Sequence, residues 1–215
     1  MQAAVEVIDA EGVAAVSLRS VARRLGVDAK AIYNHLESKD ALLDAIAEQV
    51  LSRMIVPELT GDLRIDLMAI AHAFRNAALS SHREAATLVL SRPVESLANL
   101  APLEATLAAF AIAGAKPEWA VHAVRAILAF MTGALLREAS TALTLGADDP
   151  EIAGPREASL AKMGLPHVAL AAPHLSRLDH AREFEFGIAI LVDAFASQLG
   201  SASSGVRQRR SPPGS

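Results

Sequence analysis

The sequence predicts an all-α protein in two parts, an N-terminal three-helix head and a larger helical body. Three observations carry that expectation. Alanine and leucine dominate the 215 residues, 52% are hydrophobic and only 4% aromatic, so helix formers are plentiful and strand formers scarce. Apolar residues recur at helical spacing through almost the whole chain. Glycines and prolines fall between the periodic segments, where helices end.

Taken in order, a first helix is expected over residues 2 to 11, with Ala4, Val5 and Ile8 inward and Gly12 as its left-handed cap. Ser17 is placed to cap a second of about 18 to 25, which Gly26 ends. Asp28 caps a third of about 29 to 36, and Ser38 a fourth of about 39 to 54 with Leu42, Leu43, Ile46 and Val50 on one face. Helices of two turns are unstable alone, so caps worth about 0.5 to 2 kcal/mol each matter most here.

Pro57 and Gly61 mark the next break, before a long helix of about 62 to 79. Ser81 to Glu84 has the Ser-x-x-Glu form of a capping box opening a short helix toward Leu90. Pro93 and Pro102 interrupt the chain beyond it, a helix then runs to Gly114, and Pro117 with Glu118 starts another to about Ser140. Residues 144 to 155 read as a turn-rich loop, and a short helix near 156 to 164 precedes Pro166 and Pro173. The last helix is expected from Asp179 to Leu199. The domain division is 1 to 54 for the head, 55 to 200 for the body and 201 to 215 for a disordered tail with almost nothing to bury.

The absence of cysteine excludes a disulfide framework, a thiol nucleophile and a cysteine-held metal. Uncharged apolar runs such as Ala105 to Ala115 fall short of the roughly 18 to 20 residues that span a bilayer, and Glu6, Asp9 and Glu11 stand where a signal peptide would be basic. The expectation is a cytoplasmic protein with no membrane partner. Net charge is −4, but from Arg19 to Lys39 five basic residues face only Asp28 and Glu37. Basic charge is focused on the corner between the second and third helices.

Around that corner Val21, Leu25, Ile32 and Leu36 fall on inner faces, and Ala22 and Ala31 allow close approach. Arg19, Ser20, Arg23, Ala29, Lys30, Tyr33 and Asn34 are left outside, and Gly26 supplies the positive φ of the bend. This is a helix-turn-helix pattern, whose second helix fits a major groove about 12 Å wide. Ala29, Lys30, Tyr33 and Asn34 would meet bases or phosphates, Arg19 a guanine or the backbone, and Lys39 a phosphate at the positive end of its helix.

The run S-L-R-x-V-A-x-x-L-G-V from Ser17, I-Y-x-H-L from Ile32 and K-D-A-L-L-D-A from Lys39, after a first helix ending in Glu11 and Gly12, resembles the tetracycline-repressor (TetR) family of bacterial transcription regulators. Segments 74 to 93, 120 to 136 and 184 to 195 are similar, more weakly, to the ligand-binding half of tetracycline repressors. The resemblance implies a homodimer on a palindromic double-stranded DNA operator, released by a small-molecule effector. It assigns operator contacts to Arg19, Tyr33, His35 and Lys39, while Ala29, Lys30 and Asn34 depart from the tetracycline-repressor residues and imply a different operator sequence. It pairs the helices of 118 to 140 and 179 to 199 across the dimer axis through Ala126, Phe130, Gly133, Leu136, Phe184, Gly187, Leu191 and Phe195.

Where tetracycline repressors place the residues that hold the drug and its magnesium ion, this chain aligns Ile70, Leu88, Ala129, Thr106 and Arg137. Only Phe74 and the turn Ser91, Arg92, Pro93 survive. A hard cation needs oxygen ligands, so the resemblance implies a mostly apolar effector other than magnesium-tetracycline, with Arg92 or Arg137 able to pair an acidic group on it, and neither metal nor cofactor.

His72, His82 and His122 lack metal-ligand spacing, and no nucleophile elbow, dinucleotide or phosphate loop occurs, so no catalytic residue is assigned. The basic run Arg207 to Arg210 needs no function. The reading is a ligand-responsive repressor working by population shift. Its rivals are a helical small-molecule carrier with a non-functional head and an all-helical enzyme, for which no acid, base or nucleophile pair is visible.

Overall fold

Apolar side chains from three short helices close on one another in the head. Helix α1 (Gln2–Glu11) contributes Ala4, Val5 and Ile8, α2 (Leu18–Leu25) Leu18 and Val21, and α3 (Lys39–Leu51) Leu42, Leu43 and Ile46, all buried. This computed structural model describes residues 2–28, 30–31, 38–52, 54–79, 97–139, 146–147 and 149–208. The expected helix of 29 to 36, apart from Lys30 and Ala31, lies outside the described residues, as do the Ser81 to Glu84 capping box and the chain after Gln208.

Helix α2 shows how eight residues can be held. At its start Ser17 Oγ accepts from Ser20 N at 3.0 Å while Ser17 N donates to Ser20 Oγ at 2.9 Å, and the Ser20 hydroxyl is 2.9 Å from Ala15 O. At its end Gly26, at φ 67°, lets Val27 N donate to Ala22 O and its own N to Arg23 O, which satisfies two orphan carbonyls. Two expected orientations are corrected. Ser20 is buried rather than outside, because its hydroxyl belongs to this cap, and Leu25 is 54% exposed rather than inward, because it ends the helix beyond the turn that packs on α1.

The body comprises α4 (Leu63–Leu79), α5 (Leu97–Ile112), α6 (Pro117–Ala139), α7 (Pro150–Ala161), α8 (Pro166–Leu175) and α9 (His180–Gln208). Helix α4 packs on α5 and α9, α6 packs on the same two, and α3 leans on α4 and α5 to join the head to the body. Their shared core includes Leu67, Phe110, Ile127, Met131, Phe184 and Ile188, with Phe110, Trp119 and Phe195 meeting edge to face at 5.6–5.9 Å. Arg75 of α4 grips Glu138 of α6 with contacts of 2.8 and 3.0 Å and lies 5.3 Å from the centre of the Phe184 ring. Helices α7 and α8 form a hairpin packed mainly on itself.

The start of α4 is fixed by a buried carboxylate. Asp66, 2% exposed, accepts from Thr60 N and Thr60 Oγ1 at 2.7 Å each and from Gly61 N at 3.0 Å, while Asp62 caps the helix through Arg64 N. Burial pushes the Asp66 carboxyl up, but the three donors outweigh it and hold it below the ordinary value.

Several boundaries depart from expectation. Pro102 sits inside α5 rather than interrupting the chain before it, and Thr106 Oγ1 bonds the Pro102 carbonyl at 2.7 Å. Residues 150 to 155 are helix rather than loop: Asp149 accepts from Glu151 N, Pro150 takes the first helical position where no amide donor is required, and Pro155 is carried within α7. Pro166 likewise opens α8. Helix α9 runs to Gln208, so the part of the expected tail before residue 209 continues its hydrogen-bond ladder. By length and composition alone, 117–138 and 180–201 would suffice to cross a membrane, which counting uncharged runs overlooked. Both helices instead supply side chains to the core around Phe184.

Candidate nucleic-acid interface and ligand cavity

The basic corner divides into committed and uncommitted charges. Arg24 Nε pairs with Glu6 at 3.0 Å and Arg23 with Glu11 at 3.6 Å, so two of its arginines brace α2 against α1. Arg19 and Lys30 are exposed and make no ion pair among the described residues. Lys39 begins α3 and is exposed, its Nζ 3.4 Å from Ala14 O. Asp28 caps the following turn through Lys30 N at 2.7 Å. Ala29, Tyr33, Asn34 and His35 lie outside the described residues.

Between α4, α5 and α6 is an apolar cavity of about 120 Å³. Of the expected pocket residues, Ile70, Phe74 and Thr106 line it. Ala129 is on an exposed face of α6 instead, and Arg137 lines a separate cleft, because side chains 129 and 137 leave α6 on other faces than Val124, Ile127 and Met131, which do line the cavity. Leu88, Ser91, Arg92 and Pro93 lie outside the described residues. Leu67, Val124 and Met131 were missed in the sequence reading. The signal was there, since Leu67, Ile70 and Phe74, like Val124, Ile127 and Met131, are spaced i, i+3, i+7 on one stripe of a helix.

The cavity's polar side chain among the described residues is Thr106, whose hydroxyl is engaged by Pro102 O. His72 is a contact between α4 and α9: its Nε2 lies 2.7 Å from Glu185 Oε1.

The residues expected at a dimer axis separate into two groups. Phe184, 1% exposed, is buried in its own subunit, Phe130 packs on Gly187 of the same chain, and Phe195 joins Phe110 and Trp119. Phe184 is corrected to a core position, whereas Phe130, Gly187 and Phe195 are half-buried in the subunit. Ala126 and Gly133 are exposed, and Leu136 and Leu191 half-buried. Phe186 and Ile190 of α9 are 67% and 53% exposed, a pair the sequence reading missed.

Comparison with known proteins agrees with this architecture. Residues 1–46 match the family described as bacterial regulatory proteins, tetR family, and residues 56–199 match the tetracyclin repressor-like C-terminal domain. Tetracycline repressor protein class A from transposon 1721 of Escherichia coli is 32% identical over 204 residues, covering 92% of this chain and 89% of its own. The solved TetR of Acinetobacter baumannii AYE is 27% identical with a TM-score of 0.66, over 92% of this chain and 95% of its own. Streptomyces coelicolor ActR, solved in complex with actinorhodin, shares the fold with a TM-score of 0.78 at 24% identity, over 92% and 94% of the two chains. A capped two-turn helix beside a basic corner, a linking helix and a helical body around an apolar cavity thus take their place in a known plan: this chain belongs to the TetR family of ligand-responsive, DNA-binding transcription regulators.

Proposed function

We propose that this chain acts as a homodimeric repressor on a palindromic operator, and that a small, mostly apolar effector other than magnesium-tetracycline releases it. The observation that carries this reading is the lining of the cavity between α4, α5 and α6, in which the Thr106 hydroxyl is already spent on Pro102. An apolar space of this size suits a group about as large as benzene, and a larger effector enters by moving the walls.

One wall leads toward the head. Ile70 lines the cavity on one side and is buried with Met54 on the other, with Val56 packed beside them, just beyond the end of α3. Displacing Ile70 then tilts α3 and moves the heads off the spacing of about 34 to 36 Å that successive major grooves require. Effector and operator oppose each other reciprocally. On the DNA side Arg19 and Lys39 act from the described surface, with Ala29, Lys30, Tyr33, Asn34 and His35 completing the contact. Exposed Ala126, Gly133, Phe186 and Ile190 form the dimer face.

The test is a titration of the palindromic DNA flanking the gene, run from low to physiological salt. Affinity that falls steeply with salt supports an operator-reading head; no specific complex even at low salt leaves the small-molecule carrier as the answer. Magnesium-tetracycline is expected to leave the complex intact. Release by micromolar drug overturns the effector assignment.

A further inference from the structure

A second cleft, of about 230 Å³, opens where the last turn of α6, the end of α8 and the first turn of α9 converge. Among the described residues Arg137, His174, Arg177 and His180 line it, against one carboxylate, Glu183, with Phe184 in its wall. Two neighbouring acids are occupied. Glu138 is held by Arg75 at 2.8 Å, and Asp179 caps α9 through Arg182 N at 3.1 Å. Among the described residues neither Arg137 nor Arg177 makes an ion pair.

The cleft is also held in shape. Ala147 N donates to Ser176 O at 3.0 Å, and Gly146 lies so close that a Cβ there would stand 2.6 Å from Arg177 O. Only glycine permits that approach, and it pins the backbone that carries Arg177. Phe184 is fixed by Phe130, at a ring distance of 5.9 Å, and by Arg75 above its ring. Among the described residues the wider groove into which the cleft opens adds Glu157 and Asp179 against Arg182, so the excess of cationic groups is inside the cleft.

We propose that this cleft is a second ligand site, taking a small aromatic carboxylate whose acid group is held by Arg137 and Arg177 and whose ring lies on Leu175 and Leu178. Guanidinium groups present planar paired donors that match a carboxylate, and a fixed wall spares the ordering cost of binding. The volume is below the range of about 300–1,000 Å³ typical of drug-sized ligands, which favours an acid of one or two rings.

Binding is measured on the full chain without DNA, so its failure is separate from any failure of operator binding. Calorimetric titration compares 1-naphthoate with its neutral amide, 1-naphthamide. Wild type is expected to prefer the acid by about tenfold or more, which is about 1.4 kcal/mol. Arg137→Gln and Arg177→Gln should each remove most of that preference, whereas Arg125→Gln, an exposed arginine elsewhere on α6, keeps it. Equal affinity for acid and amide, or a preference that survives in the double variant, overturns the proposal. Should a glutamine variant not fold, wild type crystallised with 4-bromo-1-naphthoate decides: bromine density in the cleft supports the site, and bromine only elsewhere, or none, refutes it.

Discussion

The Phe130 ring occupies the space that a side chain at Gly187 would need, so α6 and α9 of one subunit approach each other through an aromatic face and bare backbone. Phe130 also packs on Phe184, so moving it away costs that contact. Gly187→Val is expected to lower stability by about 1–3 kcal/mol by overpacking. In a double-mutant cycle measured by chemical denaturation, Phe130→Ala should absorb most of that penalty. Strictly additive effects would mean that the two positions do not meet.

Asp66 gives a pH dependence of known sign. Its folded-state pKa lies below the unfolded value near 3.8, so its stabilisation is complete above about pH 5 and is lost as pH falls through the folded-state value. Asp66→Asn keeps the shape but not the charge, and should cost about 1–3 kcal/mol at pH 7. Thermal unfolding followed from neutral to acid pH should bring the two proteins together at the acid end. A gap independent of pH would assign the effect to packing instead.

Arginines of the head should separate by their partners. Arg19→Ala is expected to weaken operator binding by about 1–3 kcal/mol if the side chain makes a bidentate base contact. Arg23→Gln, in an exposed pair with Glu11, should change neither operator affinity nor stability by more than about 1 kcal/mol. Gel-shift titrations of both variants on one operator provide the check, and equal losses would show that the pairing does not withdraw Arg23 from DNA.

Ile190→Asp places a charge on the exposed face of α9 without touching the core. Sedimentation should shift from dimer toward monomer, and operator affinity should fall by about tenfold or more, since each half-site then binds alone. A dimer that persists unchanged would move the interface to another surface.

Local chemistry accounts for what was legible early. Ser17, Gly26, Asp28 and Ser38 act within three or four residues of themselves, so their caps were readable before any packing was known, and the basic corner with them. Asp149 and Pro150 carry an equally local signal, a cap followed by proline, and the adjoining turn-forming residues obscured it.

By itself the sequence determined the helical class, the capped head, the family and with it the regulatory role, because short-range hydrogen bonds and apolar periodicity act along one helix at a time. Only the tertiary structure decided which side of α6 and α9 turns inward, placing Phe184 and Ile188 in the core, Phe130 half-buried against it, and Phe186 and Ile190 outside. It also decided that Ile70 and Arg137 line different cavities, and that Arg23 and Arg24 are spent on α1. The physical reason is the same in each case. A helix apolar on most of its circumference names no preferred face, and an arginine names no partner, until neighbouring helices bring a surface or a carboxylate within reach.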